Sequence, residues 1–296
     1  MKQVRLIHNP NAGDGENSML RLVALMKREG YECCVSSTEA DKNGDSDIDY
    51  VVIAGGDGTV RHAALEWLHA RKPFAVIPRG TANNIAKALS IKGTDEDIIS
   101  HWNSAPVVGF DLGVIDRLEE EEYFLEGIGF GVFPALIREH EGKAANTPTE
   151  SLESAMEMLH RIINAYQAHQ CEITIDNESF SGKFLMIEIM NTNSVGPNLV
   201  FDSSANPGDG VFEVVIVKES QRENLANYIL HLINGTGEEA SENLFTIVKG
   251  KKISVMWEGE HLHVDDKAIT LNEPRALRIN VAPAAMSFVA GVSYAG

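Results

Sequence analysis

Cysteine is scarce in this chain, with three in 296 residues, too few for a disulfide framework. Cys33 and Cys34 are neighbours in a strand-like run and so point to opposite faces, Cys171 lies far along the chain, and no pair has metal-ligand spacing. Basic charge is also short: 25 Lys and Arg stand against 43 Asp and Glu, a formal −18 at pH 7, with no basic cluster. That balance argues against a nucleic-acid partner. It also argues against lasting attachment to anionic membranes, whose attraction is worth about 1 kcal/mol per nearby Lys or Arg. Any membrane contact is expected to be transient and mostly apolar, and the excess of acid needs no explanation beyond solubility. Long hydrophobic runs are missing too. The apolar runs are strand-sized and the N-terminus enters a strand at Val4, so neither a membrane-spanning helix nor an export signal is expected. The sequence therefore reads as soluble and cytoplasmic, and the Asn234-Gly235-Thr236 sequon is expected to be irrelevant there. No internal repeat or low-complexity segment is found.

What is present points to nucleotide phosphate. Val51-Val52-Ile53-Ala54 is a β-branched apolar run that stops in Gly55-Gly56-Asp57-Gly58-Thr59, a glycine loop with one carboxylate and one hydroxyl. Glycines let successive main-chain N–H groups approach an anion, and a helix starting near Val60 would add its positive end. Asp57 cannot attract phosphate, so its expected work is to organise Mg²⁺, usually through water. An ordinary strand and turn would also fit this loop taken alone. Two more loops of the same build strengthen the phosphate reading. Val4-Arg5-Leu6-Ile7 runs into His8-Asn9-Pro10-Asn11-Ala12-Gly13, and Phe74-Ala75-Val76-Ile77 runs into Pro78-Arg79-Gly80-Thr81-Ala82-Asn83-Asn84. In an open parallel sheet such loops gather at the carboxyl edge, where ligands bind.

With 296 residues and 44% hydrophobic content, the chain can bury two cores. Residues 1–115 alternate strand and helix and predict an open, mostly parallel α/β domain, with helical faces at Leu22, Val23, Leu25 and Met26, at Val60, Ala63, Ala64 and Trp67, and at Ile85, Ala88 and Leu89. The acidic stretch Asp116–Glu122 reads as a solvated turn at the crossing to a second domain, 116–296, and whether the C-terminal stretch from about Ala282 packs back on the first domain is left open. There strands dominate, at 123–126, 171–175, 184–190, 211–217, 252–256 and 277–281, and predict a β-sandwich. One long helix interrupts them. Thr147-Pro148-Thr149-Glu150 is a capping box, followed by an apolar stripe of Leu152, Ala155, Met156, Leu159, Ile162, Ile163 and Tyr166 expected to be core.

Asn9-Pro10 with Gly13, the GGDGT loop, Gly80-Thr81 with Asn83, Gly127-Ile128-Gly129-Phe130, Asp209-Gly210 before a strand, and Val264-Asp265 stand in this order along nearly the whole chain. As a set they resemble the bacterial diacylglycerol kinase-like lipid kinases and, more distantly, the GGDG loop of NAD kinases and phosphofructokinases. The resemblance implies a NAD-kinase-like α/β domain plus a β-sandwich domain, with ATP in the cleft and a lipid tail entering the sandwich. It implies nucleotide contacts from Asn9, Thr38, Gly55, Gly56, Asp57, Gly58, Thr59, Val60, Arg61, Gly80, Thr81 and Asn83. It further implies a structural Mg²⁺ held by Asp209 and the carbonyls of Asn206 and Val211, and a catalytic base at Asp265. Phosphoryl transfer needs charge neutralisation on the β- and γ-phosphates, an in-line approach and a proton acceptor, and Asp57 with Mg²⁺ and Asp265 answer the first and last needs.

The chain departs from that family in places. It carries Asp265-Asp266-Lys267 where Asp-Gly-Glu is common, so Lys267 is expected to pair with Asp266 or Asp265. Arg61 and His62 replace the usual Asn and Glu, Asn84 replaces a frequent Asp, and Asp14 stands where a basic residue is often found. The expected activity is ATP- and Mg²⁺-dependent phosphorylation of a hydroxyl on a lipid or lipid-like amphiphile. A kinase of a soluble alcohol and a non-catalytic nucleotide-binding regulator are the alternatives, and a homodimer is left open.

Overall fold

The computed structural model describes residues 1–9, 16–36, 48–119, 121–140, 148–235 and 244–294. The loop residues 10–14, Thr38, Thr147 and the last residue of the 234–236 sequon lie outside them. The chain forms two compact units, one of Met1–Phe110 with Ala284–Gly296 and the other of Asp111–Pro283.

The first unit is built on β1 (Lys2–His8), α1 (Glu16–Arg28), β2 (Tyr31–Ser36), β3 (Tyr50–Gly55), α2 (Asp57–Glu66), β4 (Phe74–Pro78), α3 (Asn84–Ala88), α4 (Asp95–His101) and the start of β5 (Val107–Asp116). Its strands lie parallel in the order β2-β1-β3-β4, with Leu6 opposite Val35 and Val52, and Ile53 opposite Val76. β3 is buried throughout, as its unbroken apolar run requires of a parallel strand covered on both faces. Leu22, Leu25 and Met26 of α1 and Val60, Ala63, Ala64 and Trp67 along α2 are buried, as their helical spacing predicts. Thr94 and Asp97 cap α4 reciprocally, each side chain accepting the other's main-chain N–H. Parallel strands present one common edge, so the segments leaving β1, β3 and β4 emerge together.

The second unit continues β5 and adds β6 (Tyr123–Phe124), β7 (Gly127–Gly131), α5 (Val132–His140), α6 (Pro148–Ala165), β8 (His169–Ile175), β9 (Glu178–Met190), β10 (Ser194–Val195), β11 (Leu199–Val200), β12 (Phe212–Lys218), α7 (Arg222–Ile233), β13 (Thr246–Gly250), β14 (Lys252–Trp257), β15 (His261–Val264), β16 (Lys267–Thr270) and the start of β17 (Arg275–Val289), whose residues from Ala284 on belong to the first unit. Its pairings are antiparallel, as expected of a sandwich. β9 does double duty: its first half pairs with β8, and its second half lies between β7 and β12. Residues 187 and 189 of β9 with 212, 214 and 216 of β12 face a sandwich core containing Phe130, Ile173, Val255, Trp257 and Leu277. Leu185, Met190, Val215 and Val217 belong instead to a second core shared with α5, α6 and α7. The α6 stripe is core, with Leu159 and Ile163 almost wholly buried, each burial worth about 1.5–3 kcal/mol.

Among the described residues three helices rather than one long one interrupt the strands, because α5 and α7 are needed to cover the face of β9 and β12 that turns away from the sandwich. The strand expected at 123–126 stops at Phe124, since the N–H groups of Leu125 and Glu126 bond to a carboxylate instead of a neighbouring strand.

Candidate functional site

In the first unit Asn9, just past β1, and the loops after β3 and β4 are brought together. An added Cβ on Gly56 would lie 2.8 Å from the Cα of Gly80, and one on Gly80 would lie 2.6 Å from the Cα of Gly56. The two glycine loops therefore touch main chain to main chain, an approach no side chain permits. Asn9 donates from Nδ2 to Thr59 Oγ1 at 3.0 Å, tying the first loop to the second. Asn83, in the left-handed region at φ 52°, closes the third loop on itself: Gly80 N donates to its Oδ1 and its Nδ2 donates to Gly80 O, both at 2.8 Å. Gly55 packs directly against the Thr59 side chain, where a Cβ would meet it at 2.5 Å.

The helix after β3 begins at Asp57 and not near Val60. Gly56 is extended and serves as its N-cap, so the N–H groups of Gly58 and Thr59 belong to its first turn. Asp57 is the hinge of the site. Its Oδ2 accepts from Asn84 N at 3.0 Å and its Oδ1 from Ile85 N at 3.1 Å, which pins the start of α3 to the start of α2. Burial raises its pKa, against the lowering effect of these amides and of Lys87. With each oxygen already accepting an amide, Asp57 suits Mg²⁺ held through water better than direct chelation. Arg61 is half-buried, Thr81 is exposed, and Arg79 is held by Asp95 at 2.6 Å. Burial and then Arg79 lower the pKa of His8, keeping that imidazole neutral beside the loops.

In the second unit Asp265 follows β15 in the left-handed region, φ 50°, and is buried. Its Oδ1 accepts from Glu126 N at 2.8 Å and Gly127 N at 3.0 Å, and Leu125 N lies 3.0 Å from Oδ2. Its own N–H donates to Gly127 O at 2.8 Å. Lys267 does not pair with Asp265 or Asp266: its Nζ donates to Glu121 at 2.9 Å, because it opens β16 on the side where the acidic stretch passes. At the other candidate position, Asp209 Oδ1 accepts from Val211 N and Asp209 N donates to Asn206 O, forming a tight exposed turn. Gly210 N donates to the fully buried Asp111 at 2.7 Å, which anchors that turn. Burial raises the pKa of Glu213, with smaller contributions from Asp209 and Asp202, and the hydrogen bond to Glu213 raises that of Lys249, with smaller contributions from the same two aspartates.

Sequence reasoning missed Glu188, His263 and Asn191. Glu188 Oε1 and Oε2 lie 2.9 and 3.1 Å from His263 Nε2, with the pair wholly buried. His263 Nδ1 is 2.8 Å from the carbonyl of Asp265. Asn191 donates from Nδ2 to the carbonyls of Asp111 and Leu125, joining the two candidate positions of this unit. The overlooked signal was a lone acid inside the apolar run Phe184-Leu185-Met186-Ile187-Glu188-Ile189-Met190.

Residues 3–115 match the diacylglycerol kinase catalytic domain, and residues 135–290 match the YegS C-terminal NAD kinase beta sandwich-like domain. A diacylglycerol kinase of Bacillus subtilis is 28% identical over 86% of this chain and 86% of its own. Another, from Staphylococcus carnosus, is 27% identical over 89% and 88%. Among solved structures, a diacylglycerol kinase from Bacillus anthracis superposes with a TM-score of 0.73 at 19% identity, covering 98% of this chain and 97% of that one. An NAD kinase from Archaeoglobus fulgidus in complex with ATP gives a TM-score of 0.53 at 12% identity over 97% and 93%, a likeness of fold alone.

Proposed function

The chain belongs to the family of diacylglycerol kinase-like lipid kinases with a YegS-type C-terminal domain, and from that premise we propose that it transfers the γ-phosphoryl group of ATP to a hydroxyl of a diacylglycerol-like lipid. The observation that carries this reading is the main-chain contact of Gly56 with Gly80, which sets the loop after β4 against the start of α2, whose first turn holds the N–H groups of Gly58 and Thr59, at one edge of the first unit. The three loops would cradle the phosphates. Asn9, Gly55, Gly56, Gly58, Thr59, Val60, Arg61, Gly80, Thr81 and Asn83 are assigned to the nucleotide, and Thr38, outside the described residues, is retained with them. Asp57 would both lock the second loop to the third and orient the water shell of a Mg²⁺, which when bound neutralises charge on the β- and γ-phosphates. Asn206, Asp209 and Val211 would hold a second, structural Mg²⁺.

Asp265 is assigned the proton of the acceptor hydroxyl. A carboxylate fixed by several main-chain donors does not have to reorganise as the reaction proceeds, which is the condition for a positioned base. No helix among the described residues is long and apolar enough to cross a membrane. The lipid would be taken from a bilayer by transient contact on its cytoplasmic side.

Incubation with labelled ATP and Mg²⁺ against diacylglycerol, phosphatidylglycerol, sphingoid bases and soluble polyols tests the proposal. Label in an organic-extractable phospholipid is expected. Label confined to water-soluble products would remove the lipid, and binding of ATP with transfer to nothing would leave a regulator.

A further inference from the structure

His263, Gly129 and Glu188 stand side by side on three adjacent strands, β15, β7 and β9, in register: His263 opposite Gly129, and Gly129 opposite Glu188. Side chains two strands apart do not ordinarily meet, because the middle residue's side chain fills the space. Here the middle residue has none. A Cβ on Gly129 would fall 1.8 Å from Glu188 Oε2 and 2.4 Å from His263 Nε2, so the ion pair occupies the place a side chain would take. The neighbouring Ile128 and Phe130 point to the sandwich core, so the alternation of Gly127-Ile128-Gly129-Phe130 opens one face and fills the other.

The far nitrogen of the bridged ring meets Asp265. Nδ1 faces the Asp265 carbonyl and Nε2 faces the Glu188 carboxylate, so the ring is satisfied on both sides only as the imidazolium. Burial opposes that charge, but Glu188 and the Asp265 carbonyl outweigh it and raise the pKa of His263.

We propose that Glu188 and His263, bridged over Gly129, are positioning residues for Asp265, holding its peptide in the left-handed conformation that presents its carboxylate to the acceptor hydroxyl. This rests on the assignment of Asp265 as proton acceptor. The Asp265 residue is then fixed at three points: its carbonyl by His263, its N–H by Gly127 O, and its carboxylate by the amides of residues 125–127. A non-glycine residue at φ 50° is disfavoured unless its surroundings determine it, and the imidazolium adds a bond to its carbonyl.

The test compares two double variants that lack the buried charge, Glu188→Gln/His263→Asn and Glu188→Gln/His263→Gln. The Asn amide can stand where Nδ1 donates to the Asp265 carbonyl, and the longer Gln amide reaches instead toward residue 188. The Asn variant is expected to keep kcat within about threefold of Glu188→Gln, while the Gln variant falls at least about tenfold below it with KM for ATP unchanged in both. Amide exchange at residues 125–127 should accelerate in the Gln variant alone. Equal kcat and equal exchange in the two would overturn the proposal, since a packing role treats them alike. If the parent protein phosphorylates no acceptor, the assigned function fails while the exchange comparison still decides this point. If neither variant folds, nitrogen NMR of the His263 ring in the parent decides it: a proton on Nδ1 at pH 7 supports the anchor, and its absence refutes it.

Discussion

Replacing Gly80 with alanine should separate two loops that share no residue. The new Cβ would lie 2.6 Å from the Cα of Gly56 and 3.0 Å from Asn83 Oδ1. Carbon atoms settle at about 3.5–4.0 Å, so one loop has to retreat by about 1 Å. The atom in the way is main chain rather than the end of a flexible side chain, and both loops are further constrained, the second by Asp57 and the third by Asn83. Overpacking of this kind costs about 1–3 kcal/mol of stability. The effect on the nucleotide should be larger than the effect on the fold, because a displacement of about 1 Å in a positioned site can cost on the order of a hundredfold in rate. Urea denaturation and calorimetric titration with Mg-ATP measure the two separately. We expect stability to fall within that range, and ATP affinity to drop at least about tenfold under conditions where the variant remains folded. If the variant bound Mg-ATP as the parent does and unfolded at the same urea concentration, the contact between Gly56 and Gly80 would not be the foundation of the site.

Asp57→Asn keeps one acceptor oxygen but turns an NH₂ toward one of the two α3 amides, so it should lose about 1–3 kcal/mol of stability and nearly all Mg²⁺-dependent turnover, checked by denaturation and by labelled phosphate transfer. Asp265→Asn should nearly abolish turnover while the ATP affinity of the first unit stays unchanged; wild-type kcat in this variant would move the search for the base to Asp266. A pH series of urea midpoints should expose His263. Its pKa is raised above the ordinary 6.5 by Glu188 and the Asp265 carbonyl, against burial, so the folded state holds a proton that the unfolded chain gives up. That stability is fully present below about pH 6.5 and is lost as pH rises through the folded value, with a slope of at most about 1.4 kcal/mol per pH unit. Glu188→Gln should flatten this slope, and an unchanged slope in that variant would assign the titration to another group.

The first unit was legible because its chemistry is contiguous. Each loop assigned to phosphate directly follows its strand, and the periodicity of α1 and α2 marks the faces they bury. What the order of residues did not reveal is which loops touch. Nothing local to Gly56 or Gly80 indicates that they meet, and nothing next to Asp57 in the sequence announces its amide partners 27 and 28 residues away. The helix start was misplaced at Val60 for a related reason: glycines at 55, 56 and 58 look like loop, yet Gly58 sits in a first helical turn stabilised by Asp57 at the positive end.

The second unit hid more because its decisive contacts cross strands. Glu188 and His263 are separated by 75 residues, and only Glu188 looks like an anomaly in an apolar run. An ionised carboxylate buried without a partner costs several kcal/mol, so a lone acid in a strand as apolar as β9 already demands a cation somewhere. The sequence offers many cations and no means of choosing among them. The choice is made by Gly129, whose missing side chain is informative only once β7 is known to lie between β9 and β15. A glycine in a central strand otherwise weakens it, and three alternate glycines in the five residues of β7 would be a defect without something to occupy the open face. The ion pair is that occupant. The same reasoning explains why the strand expected at 123–126 ended early: its amides are committed to Asp265, and Asp265 is held by the ring that crosses Gly129. The resemblance that marked Gly127–Phe130 and Val264-Asp265 as separate motifs thus describes two parts of one assembly, joined by a histidine and a glutamate that belong to neither motif.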